Sequence, residues 1–555
     1  MNTRTTDLAR PHWLPDMGSA RSTAIACWLV PLLYGLYSLT LGADSNWDLR
    51  NYHLYNAFAL LHGKRAIDLA PAGMQSYFNP LLDVPYYLMA MHLPAMAVGF
   101  IMGVMHGLNF VLLVAIGLRV FADLPESSRR RTAFWLALAG CFTANFMSGV
   151  GNSMGDNTTA LFSLGALLIV LTIWPRIGQG RPHVLAAIAL GGVVAGLGTG
   201  LKLTTAVYSA ALCAGLLFAP VSTFARLRAA FVFGIGVLAG LAATGGFWLV
   251  EMGHAYGNPL YPQFSTLFPS ALTANVGIAD QHWFPKSASE ALLFPFVFSA
   301  HPLRVGQVVL HQATWVIVYV VFWWWAASIA LRRRVKIPAL PSPARYVVAY
   351  VAIGYLLWLK MFSIQRYLVA IELCVPLVIY VLMCRLSPHR FARRATAVVL
   401  TINTAAVLIG GAHSWGHNRW ASRIFSADVP TFEAPDRTTV VLTSGDPPLG
   451  WLVPMFPATV SFAAINSSFP QARPAFDNRL HEIVAKRGGP TYALLPGYRS
   501  GNEDDPAANA AERATSGRTL AEYGFALDEA SCRVYRGRIG AGAYPFQWCR
   551  ITLLR

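Results

Sequence analysis

Residues 43–85 read ADSNWDLRNYHLYNAFALLHGKRAIDLAPAGMQSYFNPLLDVP. The stretch follows the first long apolar segment and precedes the second, and it holds Asp44, Asp48, Asp68 and Asp83 among many Tyr, His and Asn residues. Polar side chains at this density between two apolar segments mark a working surface rather than a plain connection. A helix over 48–58 places Asp48, Asn51, Tyr52, Tyr55 and Asn56 at i, i+3, i+4, i+7 and i+8, on one face. Leu49, Leu54, Phe58 and Leu61 fall largely elsewhere, so that helix is expected to lie in the membrane interface. An Asp ahead of a helix also serves as a cap, and for Asp44 and Asp48 that reading stays open.

Outward from this stretch the chain is apolar. Of its 555 residues 55% are hydrophobic and 12% charged, with a mean hydropathy of +0.46. These values exclude an ordinary soluble protein. The net charge of +17 would suit nucleic acid if it were pooled, but it is not. The basic residues stand in short clusters between apolar segments: Arg129 to Arg131, Arg176 and Arg181, Arg226 and Arg228, Arg332 to Lys336, and Arg385 to Arg394. That is the pattern of cytoplasmic loops.

With about 20 apolar residues per crossing we read about eleven spans. They lie near 24–43, 96–121, 132–150, 157–174, 184–201, 203–220, 230–250, 313–331, 344–361, 368–385 and 395–412. Residues 1–23 are then a cytoplasmic N-terminus, and 24–412 a membrane domain with external loops at 43–85, 151–157, 251–312 and 362–367. Residues 86–95 are either an interfacial or re-entrant helix or the start of the second span; Pro94 argues for a break.

Residues 413–555 change character. Strands at Val440 and Thr491 and helices over 478–486 and 511–523 predict a small α/β domain, with 498–510 as a loop. An odd number of spans places this domain outside, in the periplasm of a bacterium whose inner membrane holds the chain. Cys532 and Cys549 are its cysteines, and in that oxidising compartment they are expected to form a disulfide. No Cys/His metal cluster, phosphate-cradling loop, nucleotide fingerprint or internal repeat is evident.

The external loops gather the chemistry. Gly151-Asn-Ser-Met-Gly-Asp156 makes a tight turn, with Asp156 either capping the next helix or facing a site. Lys202 follows Gly196-Leu-Gly-Thr-Gly200; it either snorkels or neutralises a phosphate. His254 and Asn258 stand in Glu251-Met-Gly-His-Ala-Tyr-Gly-Asn-Pro-Leu-Tyr-Pro262, with Asp280 and Trp283 further on. Aromatic rings beside amides and carboxylates suit a sugar. Arg366 and Tyr367 precede Glu372, a carboxylate inside an apolar run that needs a partner; Arg366 or Lys202 is expected to supply it.

Asp48-Leu-Arg-Asn-Tyr52 resembles the acidic motif in the first external loop of the GT-C glycosyltransferases, membrane enzymes that take sugars from polyprenyl-phosphate carriers and include protein O-mannosyltransferases and the lipid A aminoarabinose transferase. The Asp156 turn, the glycine-rich turn at Lys202 (Gly200-Leu-Lys-Leu-Thr204, similar to a Gly-x-x-Lys-x-Thr type turn but with the glycine one residue nearer), the Gly-Asn-Pro segment and the Arg366-Tyr367 turn resemble the same enzymes in order, over about residues 24–412. The resemblance implies an inverting transfer to an extracytoplasmic glycan, lipid or protein. Asp48 would be the general base, with Asp44 as the second carboxylate. Lys202 and Arg366 would hold the carrier phosphate, while Tyr52, His53, Asp156, His254, Asn258, Tyr367 and Glu372 would serve the substrates. Asp44, Asp48 and Asp156 are oxygen donors of the kind that bind Mg or Mn, but a single phosphate is within reach of Lys and Arg alone, so no metal cofactor is expected. A transporter or flippase of a lipid-linked sugar, or a non-catalytic subunit of an envelope glycan assembly, is the competing reading. Few mid-membrane charges and no matched halves weigh against the transporter.

Overall fold

In the computed structural model the described residues are 16–554, apart from 275, 278, 279, 332–338, 467 and 502. The expected basic cluster Arg332–Lys336 lies outside them.

Seven described helices are long and apolar enough to cross a membrane: Ala20–Leu41, Ala95–Val120, Asp156–Arg176, Pro182–Leu201, Thr223–Tyr256, Ser342–Met361 and His389–Gly411. An eighth candidate, Gln365–Glu372 with Val375–Leu386, is bent by 56°. The other three expected spans fall on shorter helices, Glu126–Cys141, Leu203–Phe218 and Thr314–Ala330. The ambiguous 86–95 segment belongs to a separate helix, Asp83–His92, which ends before Pro94.

The helices run with a consistent sense. Arg21, Arg129, Arg181, Arg226 and Arg390 stand near the starts of alternate helices, and Arg119, Arg176 and Arg385 near the ends of the helices that run back between them. Asp44, Asp48, Asp156, Lys202 and Arg366 lie at the opposite ends. Small residues bring two helices into backbone contact. A Cβ at Gly196 would sit 2.1 Å from the Val237 carbonyl oxygen, and one at Gly240 2.1 Å from that of Val193, the close approach that small-residue repeats permit between membrane helices.

The C-terminal domain is built on a five-stranded mixed sheet. Its order is Ser461–Ala464, Thr439–Leu442, Thr491–Pro496, Phe546–Leu553, Phe525–Tyr535, the first three parallel and the last two antiparallel. Helices Ala475–Arg487 and Pro506–Glu522 accompany it. The expected 498–510 loop is instead a short hairpin, Arg499–Ser500 with Glu503–Asp504, followed by the start of the second helix. Cys532 and Cys549, on the two antiparallel strands, are disulfide-bonded.

The 43–85 loop packs against the C-terminal domain. Residues Leu49–His53 form a π-helical turn and Leu54–Leu61 an α-helix. Leu49, Leu54, Tyr55 and Phe58 pack with Trp451, Leu452 and Phe462 of the C-terminal domain. Of the apolar positions that suggested a membrane surface, Leu49, Leu54 and Phe58 are covered by protein, whereas Leu61 is 47% exposed. Beyond this helix, Leu69 bridges Ala463 in parallel, its amide donating to the Phe462 carbonyl at 2.8 Å and its carbonyl accepting from Ala464 at 2.9 Å. The loop thus extends the open edge of the sheet. Ala43–Asp44 pairs antiparallel with His417–Asn418, so the ends of the first and last membrane helices meet beneath the domain.

Candidate functional site

Asp48 sits at the head of the π turn. Its Oδ2 accepts from Arg366 Nη1 at 2.5 Å, with 12% and 14% of the two side chains exposed. Burial alone would raise the Asp48 carboxyl; Arg366 foremost, then His53 and Lys202, outweigh it and hold the group below the usual carboxylate range. Arg366 also donates to the Tyr367 hydroxyl at 3.1 Å. Its guanidinium lies 5.1 Å from the Tyr367 ring and 5.6 Å from that of Trp415. Its Nε is buried with no hydrogen-bond partner among the described residues.

Lys202 repeats this arrangement beside the same Tyr367 ring. Its ammonium donates to Asp156 at 2.6 Å and to the Met154 carbonyl at 2.7 Å, and lies 5.5 Å from the same ring. Gly155 has a φ of +82°, and a Cβ there would sit 2.6 Å from Leu82. The glycine allows the turn that presents Asp156 to the lysine.

His53, one π turn beyond Asp48, is 4% exposed. Its Nδ1 lies 2.6 Å from Asp83 Oδ1, its ring 4.1 Å from that of Tyr52, and its Nε2 has no partner among the described residues. Burial raises the Asp83 carboxyl, against the pull of His53. Asp83 stands in the decisive stretch but received no role from the sequence. The signal that could have found it is its position at the start of a helix directly after Tyr-Phe-Asn-Pro-Leu-Leu, where no periodic pattern needs a carboxylate. Trp415 was likewise unassigned.

Other expected residues lie apart from this centre or brace it. Asp44 is committed to the fold: Oδ1 accepts from the Asn46 amide at 3.0 Å, and Oδ2 from the Ser153 amide and hydroxyl at 2.7 and 2.8 Å. It ties the first loop to the Gly151 turn. Glu372 is fully buried, but neither Arg366 nor Lys202 is its partner. It accepts from Gln312 Nε2 at 2.9 Å and Trp315 Nε1 at 2.7 Å, because both cations are already held by Asp48 and Asp156. It thereby steadies the segment that follows Arg366. His254 is exposed. Asn258 spends its side chain within its own turn, donating to the Gln263 carbonyl at 2.7 Å and accepting from the Leu260 amide at 2.9 Å. Neither joins the Asp48–Arg366 centre.

Among the described residues no three His, Cys, Asp or Glu side chains gather in a metal-holding group. Asp44, Asp48 and Asp156 are engaged separately, by backbone and hydroxyl donors, by arginine and by lysine. As arranged they do not form the oxygen set that Mg or Mn requires.

No protein-family model matches this sequence, and neither does any curated protein. Solved structures do. The chain superposes on ArnT from Cupriavidus metallidurans, determined with bound undecaprenyl phosphate, with a TM-score of 0.51 at 11% identity, over 95% of this chain and 98% of that one. The apo oligosaccharyltransferase of Archaeoglobus fulgidus matches with a TM-score of 0.46 at 12% identity, over 84% of this chain and 69% of that one. AglB from Archaeoglobus fulgidus, with an inhibitory peptide and a dolichol-phosphate, matches with 0.43 at 10% identity, over 86% and 70%. The likeness to ArnT runs through both the membrane helices and the C-terminal domain, and it is a likeness of fold.

Proposed function

We propose that this chain, folded like ArnT, is a membrane glycosyltransferase that moves a sugar from a polyprenyl-phosphate carrier to an acceptor outside the cytoplasm. The observation that carries this reading is the pair of cations close to Tyr367, each held by a carboxylate at 2.5 or 2.6 Å. A phosphate competes well for such cations: it offers oxygens to the arginine fork and to the compact ammonium together. The unpartnered Arg366 Nε supplies one more donor. The undecaprenyl phosphate in the ArnT structure supports the same class of donor.

In this reading the acceptor hydroxyl oxygen bonds to the anomeric carbon as the bond from that carbon to the phosphate oxygen breaks. The electron pair leaves with the phosphate, where Arg366 and Lys202 take up the charge. The proton passes to Asp48. A phosphate that draws Arg366 away from Asp48 also restores the carboxylate's affinity for a proton when it is needed. His53, held by Asp83, and Tyr52 orient the reacting groups. No step is routed through a metal ion. The transfer takes place on the outer side of a bacterial inner membrane, with the C-terminal domain in the periplasm.

The test is transfer of radiolabelled sugar from polyprenyl-phosphate donors by the purified protein. Wild type is expected to release the carrier phosphate, and Arg366→Gln and Lys202→Gln to lose that activity. Movement of an intact lipid-linked sugar across a bilayer without cleavage would replace the enzyme reading with a flippase.

A further inference from the structure

A second polar site lies along the same helix. A cavity of about 320 Å³ opens between the first external loop and the outer end of the Thr223–Tyr256 helix, lined by Tyr55, Asn56, Arg65, Asp68, Trp248 and Glu251 among others. We propose that it is a subsite for a neutral oligosaccharide, holding an inner sugar of a glycan acceptor whose end reaches Asp48. This rests on the transferase reading above.

The lining groups argue for that occupant. Asn56 is 2% exposed; its Nδ2 donates to the Gln75 carbonyl at 2.9 Å, but its Oδ1 has no partner among the described residues. Arg65 pairs with Glu251 and lies 5.7 Å from the Trp248 ring, yet its Nη1 is also buried without a partner. Buried polar atoms normally find partners. Both residues line the cavity, and the acceptor and donor left over just behind its wall match hydroxyl groups, which both give and receive, once the side chains turn toward a ligand. Tyr55 and Trp248 add aromatic surface for C–H faces. The charged lining is one arginine against two carboxylates, with the arginine committed to Glu251, which disfavours a phosphate or an anionic lipid headgroup.

Position makes the cavity a subsite rather than a second centre. Asn56 is eight residues beyond Asp48 on continuous helix, about 12 Å along its axis. That is too far for the reacting hydroxyl and suits a neighbouring unit of the same glycan.

Full-length protein in phosphatidylcholine nanodiscs is probed on an array of neutral glycans, and the strongest binder is followed by saturation-transfer difference NMR. Wild type and Asp48→Asn are expected to bind the same oligosaccharide. Asn56→Leu and the cavity-filling Ala59→Phe are expected to weaken it at least tenfold while keeping affinity for undecaprenyl phosphate. Absence of any neutral glycan binder, or equal binding by both cavity variants, overturns the subsite. Loss of glycan signal on adding anionic lipid but not neutral lipid overturns it in favour of a headgroup site. Failure of undecaprenyl phosphate to bind wild type, with glycan binding intact, counts against the donor assignment alone.

Discussion

Asp48 and Arg366 depend on each other, and removing either exposes a different cost. Asp48→Asn preserves volume but cannot take a proton from a hydroxyl. Transfer is expected to fall by roughly two to four orders of magnitude, measured as initial rates of labelled product. Asp44→Asn is expected to act differently, by loosening the bonds to Asn46 and Ser153 and lowering stability more than the rate of folded enzyme. The ion pair also has a pH signature. The folded-state pKa of Asp48 is depressed, so its stabilising contribution is present above the unfolded value of about 3.9 and disappears as pH falls through the lower folded value. The melting-temperature deficit of Asp48→Asn relative to wild type should therefore be constant from pH 7 to about 5 and shrink only below about 4. A deficit that already vanishes near pH 6 would contradict the pairing. Asp48 was legible because its spacing to Tyr52 lies within five residues. Its partner was not, since Arg366 is 318 positions away.

At the scale of elements, the 43–85 loop works as a clamp between the helices and the C-terminal sheet. Lys64 and Asp68 form a buried pair at 3.1 Å, with 0% and 1% of their side chains exposed. Lys64 also donates to the Ala458 carbonyl at 3.2 Å and to that of Val460, and Asp68 accepts from the Phe462 amide at 2.8 Å. Burial pushes the Asp68 carboxyl up to about 6, although Lys64 and that amide pull it down. Lys64→Met leaves the carboxylate without its cation, a change that costs about 3–5 kcal/mol in buried pairs. The expected result is loss of amide hydrogen-exchange protection across Thr439–Ala464 with the membrane helices unchanged. Protection equal to wild type would show that the clamp is not held by this pair. The sequence pattern predicted a helix here and was right about its presence. It did not show that the C-terminal domain covers Leu49, Leu54 and Phe58, because an apolar stripe reads the same whether lipid or a folded domain covers it.

For the whole molecule the prediction is sidedness. Arginines gather at one set of helix ends, and the Asp48, Asp156, Lys202 and Arg366 side chains at the other. Alkaline phosphatase fused after Gly180, among the arginines, is expected to be inactive, whereas the enzyme fused to the C-terminus is expected to be active. An active fusion at Gly180 would invert the topology and remove the external setting on which the transfer reading relies.

What the sequence by itself determined is what short-range physics writes into a chain: apolar runs long enough to be helices in lipid, basic residues retained at one end, and polar turns at the other. Those features depend on windows of about 20 residues, so they survive without knowledge of the fold. The tertiary structure alone decided which charges meet. A buried carboxylate must find a cation or several donors, and the choice goes to whichever backbone passes nearby. That assigned Arg366 to Asp48, Lys202 to Asp156 and His53 to Asp83. It left Glu372 to Gln312 and Trp315, and set His254 and Asn258 apart from the centre their composition had suggested.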